Sequence, residues 1–155
     1  MIYYLDGYNL LFQLFEERDD FKSHRDELIS FLETHLQYVK FKVKLIFDAH
    51  HSQERLPQYE YSRHLEIIFT PRNMTADEFI LEQLSVSRHP GQITVVTNDK
   101  SLRLNCHNLK AMTMSPKSFI RFLKKKGKKA PSIENFEDTP ENIERLLQIF
   151  EKYDR

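Results

Sequence analysis

The sequence predicts an α/β fold: a parallel sheet with helices on both faces. Three observations carry this. Short apolar runs of strand length alternate with longer stretches whose apolar residues recur at helical spacing. The chain has 155 residues, which suits one domain with a single core. Several of the apolar runs end in an aspartate or within two residues of one, as in "YYLDG", "IFDAH" and "VVTND".

Met1 to Leu5 reads as a buried strand ending at Asp6. Tyr8 to Phe15 reads as a short helix. "DDFKSH" breaks the pattern, and Ser23 is placed to cap a helix with Leu28, Ile29, Phe31, Leu32, Leu36 and Val39 as its apolar positions. "KVKLIFD" is a second strand ending at Asp48. "HHSQERLPQYEYS" is polar and broken by proline, so it reads as a long loop. "LEIIFT" is a third strand closed by Pro71. Thr75 opens a helix with Ala76, Phe79, Ile80 and Leu84 as its buried stripe. "HPGQ" is a turn, and "ITVVT" is a fourth strand before Asn98 and Asp99. A helix follows over Lys100 to Asn105, then a short fifth strand in "LKAMTM". Ser115-Pro116 starts a helix with Phe119, Phe122 and Leu123 on one face. After the loop "APSIENFEDTP", Thr139 and Pro140 form an N-cap and first-turn pair. The last helix buries Ile143, Leu146, Leu147 and Phe150. The reading divides the chain into a domain over 1–130 and a C-terminal loop and amphipathic helix over 131–155. That helix covers the core or serves as a homodimer contact.

Composition excludes several classes. With 3 glycines and 6 prolines there is no low-complexity or collagen-like segment. No run approaches the roughly 20 apolar residues that span a bilayer. No basic, apolar leader opens the chain. The lone Cys106 excludes an internal disulfide framework, and the expected location is the cytoplasm. Net charge is zero but unevenly placed: residues 131–155 carry 7 acids and 3 bases, leaving 16 acids and 20 bases in residues 1–130. The basic excess peaks in "KKKGKK", Lys124 to Lys129, which is either a phosphate track or a solvated surface. No GxGxxG follows the first strand and no GxxxxGK[ST] occurs, which argues against a dinucleotide site or a P-loop.

In a parallel α/β sheet the functional crevice lies at the C-terminal ends of the strands. Asp6, Asp48 and Asp99 end three strands there, and Asp77 sits in the first turn of the helix after the third. Gathered carboxylates repel and raise one another's pKa. A divalent cation relieves that repulsion, and Mg²⁺ prefers carboxylate and water oxygens. Each acid also has a plainer explanation. Asp6 and Asp99 are placed to cap helices, Asp77 gains from a helix dipole, and Asp48 can anchor a loop. "TADE" matches a capping box, which accounts for Glu78 but not for Asp77. The convergence of four acids favours a metal site. Asn9, three residues after Asp6, is spaced to return its amide to the same pocket. Thr97 either contacts a phosphate or orients Asp99. His50 and His51 lack the companions a zinc site needs, so they line the rim and touch substrate, or do nothing.

These motifs resemble the NYN domains, a branch of the PIN-like nucleases, and most of all their YacP-like (Rae1-like) bacterial members. "YYLDGYNLL" resembles their opening strand, "LIFDAHH" the second, "IIFTPRNMTADEFI" the third strand and acidic helix, and "ITVVTNDKSLR" the fourth. The likeness runs from Ile2 to about Leu123, leaving the helix from Thr139 outside it. It implies a three-layer α/β/α PIN-like domain with a five-stranded parallel sheet of order 3-2-1-4-5. It also implies an endoribonuclease that uses Mg²⁺ or Mn²⁺. The family's acids fall on Asp6, Asp77 and Asp99, with Asn9 as the amide of the first motif. Many NYN nucleases carry a further acid four residues after the strand-4 aspartate. Here that position is Arg103, and Asp48 or water is expected to stand in. Asn98, Thr97, Arg72, Arg103, Lys124, Lys125 and Lys126 are the expected RNA contacts, and Tyr8, Tyr59 and Tyr61 are aromatics able to stack unpaired bases. RNA, as message, tRNA or ribosome-bound, is the expected partner, with no membrane. The absent acid keeps a second function open: an RNA- or ribosome-binding module without catalysis on the same fold. A phospho-aspartate enzyme ranks lower, because "DGYNL" lacks the second acid of DxDx[TV].

Overall fold

The computed structural model of the chain describes residues 1–14 and 21–128. The expected loop and helix of 131–155, Phe15 at the end of the first helix, and Lys129 lie outside the described residues. The strands are β1 (Ile2–Asp6), β2 (Lys42–Phe47), β3 (Gln58–Tyr61), β4 (Leu65–Phe69), β5 (Ile93–Val96) and β6 (Met112–Met114). The helices are α1 (Gly7–Leu14), α2 (Phe21–Leu36), α3 (Ala76–Val86), α4 (Lys100–Asn108) and α5 (Pro116–Lys128).

The sheet order is β3-β4-β2-β1-β5-β6. Five strands are parallel, in the order expected from the resemblance. The sixth is a correction. β3 lies within the segment expected to be loop, and it pairs antiparallel with β4 at the edge. All four of its residues are exposed, so no apolar face marked it as a strand. Ser23, expected to cap α2, lies inside it, since Phe21 and Lys22 are already helical, and α4 runs three residues past Asn105.

Each sheet face buries its own cluster. Tyr3, Leu5, Leu45 and Phe47 pack with α1, α2 and α5 through Leu11, Leu32, Phe119 and Leu123. Tyr4, Ile46, Ile68 and Val95 pack with α3 and α4 through Phe79, Ile80, Leu84 and Leu102. The α3 stripe is the one predicted. Burying both sheet faces explains why β5 and the end of β2 from Leu45 to Phe47 read as near-unbroken apolar runs. Ser115 caps α5, accepting from Ser118 N–H at 3.2 Å, with Pro116 at the first helical position.

Phe122 on α5 reaches the rings of Tyr3 and Phe41, at 5.9 and 5.4 Å, near the starts of β1 and β2. α5 therefore runs down the sheet, away from the strands' C-terminal ends. Lys126 lies beyond Phe122, its ammonium 5.7 Å from that ring. Strand and helix rises put Lys124, Lys125 and Lys126 on the order of 20 Å from Asp6. The phosphate track expected there stands at the opposite end of the sheet from the acids.

Candidate active site

Asp6 is the last residue of β1 and only 8 % exposed. Gly7, immediately after it, begins α1. A Cβ on Gly7 would lie 2.5 Å from the Phe47 ring and 3.0 Å from the Ile46 carbonyl oxygen. Only glycine lets α1 start this close to β2, and the turn at Gly7 fixes where Asp6 points. Tyr8 follows, half-buried, with its ring edge-on to Phe47 at 5.0 Å. Asn9 lies on α1, but its side chain is outside the described part.

Asp77 is brought in by α3. Thr75 caps that helix, its hydroxyl accepting from Glu78 N–H at 3.2 Å, so the forward half of the expected capping box forms. The Asp77 carboxyl is held above the ordinary carboxylate range. Burial is the main cause, followed by the charge of Asp99, and the charges of Asp48 and Glu78 add to it. A side-chain hydrogen bond with Asp6 works in the opposite direction. A hydrogen bond between two carboxyl groups needs a proton on one of them, and a cation can replace that proton.

Asp99 caps α4: its carboxylate accepts from Leu102 N–H at 2.9 Å. Its own N–H donates to Thr97 Oγ1 at 3.0 Å. Thr97 is 1 % exposed, so its hydroxyl orients Asp99 and does not face a nucleic acid. Cap and cluster member are compatible roles, because the charge of Asp99 still reaches Asp77.

Asp48 serves the loop after β2. Its Oδ1 accepts from His50 N–H at 3.0 Å and lies 2.5 Å from His50 Nδ1. The His50 ring lies against His51, centroids 3.7 Å apart. Thr70 Oγ1 accepts from Ala49 N–H at 2.7 Å, and Asn73 N–H donates to the His50 carbonyl at 2.9 Å. Asn73 has φ 65°, a left-handed turn that asparagine tolerates. Sequence reasoning placed His50 only at the rim; its partnership with Asp48 was readable in the two-residue spacing of a local turn.

Asp6, Tyr8, Asp48, His50, His51 and Asp77 line one open cleft of about 590 Å³. Arg72 is exposed, Arg103 is half-exposed on α4, and Asn98 follows Thr97 half-exposed. Cys106 is fully buried behind the cluster, its thiol pushed up to about 11 by burial and then by Asp77. It is an inert core residue.

The donor set is all oxygen, which suits Mg²⁺ or Mn²⁺. Among the described residues, no group of three or more His, Cys, Asp or Glu side chains stands arranged to hold a metal ion. Asp6 and Asp77, which share the cleft, are the residues that would hold such an ion directly. Other acids would then act through water, in keeping with the several waters Mg²⁺ retains.

The YacP-like NYN domain model matches residues 3–152. That span runs past Leu123 and takes in most of the segment left outside the motif likeness. The chain is 30 % identical over 123 residues to "Uncharacterized protein YacP" of Bacillus subtilis (strain 168), covering 76 % of this chain and 71 % of that protein. It superposes on the crystal structure of Rae1 (YacP) from Bacillus subtilis with TM-score 0.65 and 25 % identity, covering 83 % of this chain and 76 % of that one. A mutant of the same protein gives TM-score 0.65 at 26 % identity. Sheet order, the four motifs and these matches agree: the chain belongs to the YacP-like NYN domain family.

Proposed function

We propose that this chain is a metal-dependent endoribonuclease hydrolysing RNA phosphodiester bonds. The observation that carries the reading is the cleft in which Asp6, Asp48 and Asp77 stand together. Burial and the charges of Asp99 and Asp48 raise the Asp77 carboxyl above its ordinary range, while its hydrogen bond with Asp6 works the other way. Such clustering is costly to a fold and supports a site built for a cation.

Asp6 and Asp77 would hold Mg²⁺ or Mn²⁺, with Asp99 contributing its charge nearby. Asp48, its Oδ1 engaged by His50, would add charge to the cleft. The chemistry the ion supplies is a lowered pKa for the attacking water and neutralisation of charge on the leaving oxygen. The chain's own work is placement. Gly7 and β1 fix Asp6, the Thr75 cap fixes Asp77, and Thr97 fixes Asp99. Arg72, Arg103 and Asn98, at least partly exposed near the strands' C-terminal ends, are the residues this reading assigns to grip the phosphate backbone. Asn9 completes the first motif beside Asp6.

A second reading, RNA or ribosome binding without catalysis, is favoured by Arg103 at the position of the further acid and by the lack of a ready three-ligand set among the described residues. Cleavage of a mixed-sequence single-stranded RNA by wild type and Asp99→Asn, with Mn²⁺ and with EDTA, decides between them. The nuclease reading expects cutting only with Mn²⁺ and only by wild type. Binding without product in every lane would replace it with the second reading.

A further inference from the structure

Two rows of side chains cross the sheet on the face that carries Asp6. Asp6 is in register with Ile46, Ile46 with Ile68, and Ile68 with Tyr59. The neighbouring row on the same face is Tyr4, Lys44, Glu66 and Tyr61. Residues opposite each other in a sheet share a face, so Tyr59 and Tyr61 stand on the face of Asp6. Three strand spacings separate Tyr59 from Asp6, about 14 Å at about 4.8 Å each.

Both tyrosines are open to solvent, 46 % and 75 % exposed. Their rings are nearly parallel, 11° apart in plane, with centroids 6.4 Å apart. That is the spacing of side chains two residues apart on one strand, so the two rings stand side by side on one face, each able to meet a base. The neighbouring row continues the pattern. Lys44 Nζ lies 5.7 Å from the Tyr4 ring centroid and 3.5 Å from Glu66. Past the end of β4, beside the start of β3, Arg72 N–H donates to the Glu54 carbonyl at 2.7 Å. That bond brings exposed Arg72 and exposed Arg55 to the same stretch of surface. An edge strand is ordinarily guarded by charge or brevity. β3 is short, but two of its four side chains are aromatic and uncovered, which burial in the core does not explain.

We propose that Tyr59 and Tyr61 form a base-stacking platform that holds single-stranded RNA a few nucleotides from the phosphate bound near Asp6 and Asp77. This rests on the nuclease reading, which supplies RNA as the substrate. The platform selects single strands, because only unpaired bases offer free faces to an aromatic ring, and it is tolerant of sequence. Arg55 and Arg72 grip the phosphates between platform and cleft.

The chain contains no tryptophan, so Tyr61→Trp gives a single reporter on the strip. The test titrates this variant in EDTA with a short mixed-sequence RNA, then with the same RNA annealed to its complement. The expected result is quenching by the single strand and none by the duplex. Tyr59→Ala and Tyr61→Ala should each weaken single-strand binding about fivefold or more, with Tyr59→Phe near wild type. Both positions are exposed, so melting temperature should not move. RNA binding with an unquenched tryptophan and full affinity in the alanine variants would overturn the platform and leave the nuclease reading standing. Absence of any RNA binding, together with absence of cutting, would remove both. A tryptophan signal that follows protein concentration and not RNA would assign the strip to a second copy of the chain and overturn the proposal.

Discussion

Asp48 Oδ1 receives two contacts from a single residue: the His50 backbone N–H at 3.0 Å and the His50 ring nitrogen at 2.5 Å. The loop made this way forms one wall of the cleft that also contains Asp6 and Asp77. Asparagine can still accept the backbone bond through its own oxygen. Asp48→Asn should therefore keep the loop and retain activity within a few-fold. Asp6→Asn should lose about 100-fold or more, beyond the range typical of an outer partner of a metal ligand. Steady-state cleavage rates at saturating Mn²⁺ check this. Equal losses in the two variants would make Asp48 a ligand.

Asp77 gives the cluster a pH signature. Its pKa in the fold is raised above that of an unfolded aspartate, about 3.9. Whatever stability this provides is present below that value and is lost as pH rises through the raised pKa. Asp77→Asn carries no charge to repel, and its amide can still donate to Asp6. Without divalent ions the variant should melt about 2–4 °C above wild type near neutral pH, the shift that about 1 kcal/mol produces at this size. The gap should close toward pH 4. Adding Mn²⁺ should then raise wild type and leave the variant nearly unmoved, because only a site that binds the ion gains by mass action. Thermal melts across pH, with and without metal, read both effects.

Much of this was legible in the sequence, and the remainder has identifiable reasons. The five parallel strands and the α3 stripe of Ala76, Phe79, Ile80 and Leu84 were legible as apolar runs that bury a face, whereas the order of the strands was expected only from the family resemblance. β3 buries none, so its alternation of Gln58 and Glu60 with Tyr59 and Tyr61 left no hydrophobic trace. The positions of Asp6 and Asp99 at strand ends, and of Asp77 in the first turn of α3, were readable because apolar runs and the Thr75 cap mark those boundaries. The distance of the lysines from them was not, because a charge run reveals composition and not which end of a helix meets which end of a sheet. The fit of Gly7 against Phe47 joins residues 40 positions apart, and no local pattern encodes it.

Gly7→Ala tests that fit. The added methyl would meet a fully buried Phe47 ring, itself packed on Phe69 at 5.6 Å and Tyr8 at 5.0 Å, so the ring has little room to yield. Overpacking of this kind costs about 1–3 kcal/mol. The backbone shift should also move Asp6, so activity should fall by more than the loss of folded protein explains. Phe47→Leu in the same chain should restore part of the activity. Denaturant midpoints beside single-turnover rates separate the two effects, and an unchanged midpoint would show that the contact relaxes freely.

The two basic regions should separate in salt. Each phosphate contact made to a single strand contributes about 0.7 to the slope of log affinity against log salt. Arg72 and Arg103 lie at the end of the sheet that carries the acids, whereas Lys124 to Lys126 lie at the far end beside Phe122. Arg72→Ala and Arg103→Ala should each flatten the slope by about 0.7. The triple change Lys124→Ala, Lys125→Ala and Lys126→Ala should leave it within error for an RNA too short to reach around the domain. Anisotropy titrations over a range of salt, in EDTA to prevent cutting, give the slopes. A flattening of about two in the triple variant would mean that the RNA track leaves the cleft and passes down α5.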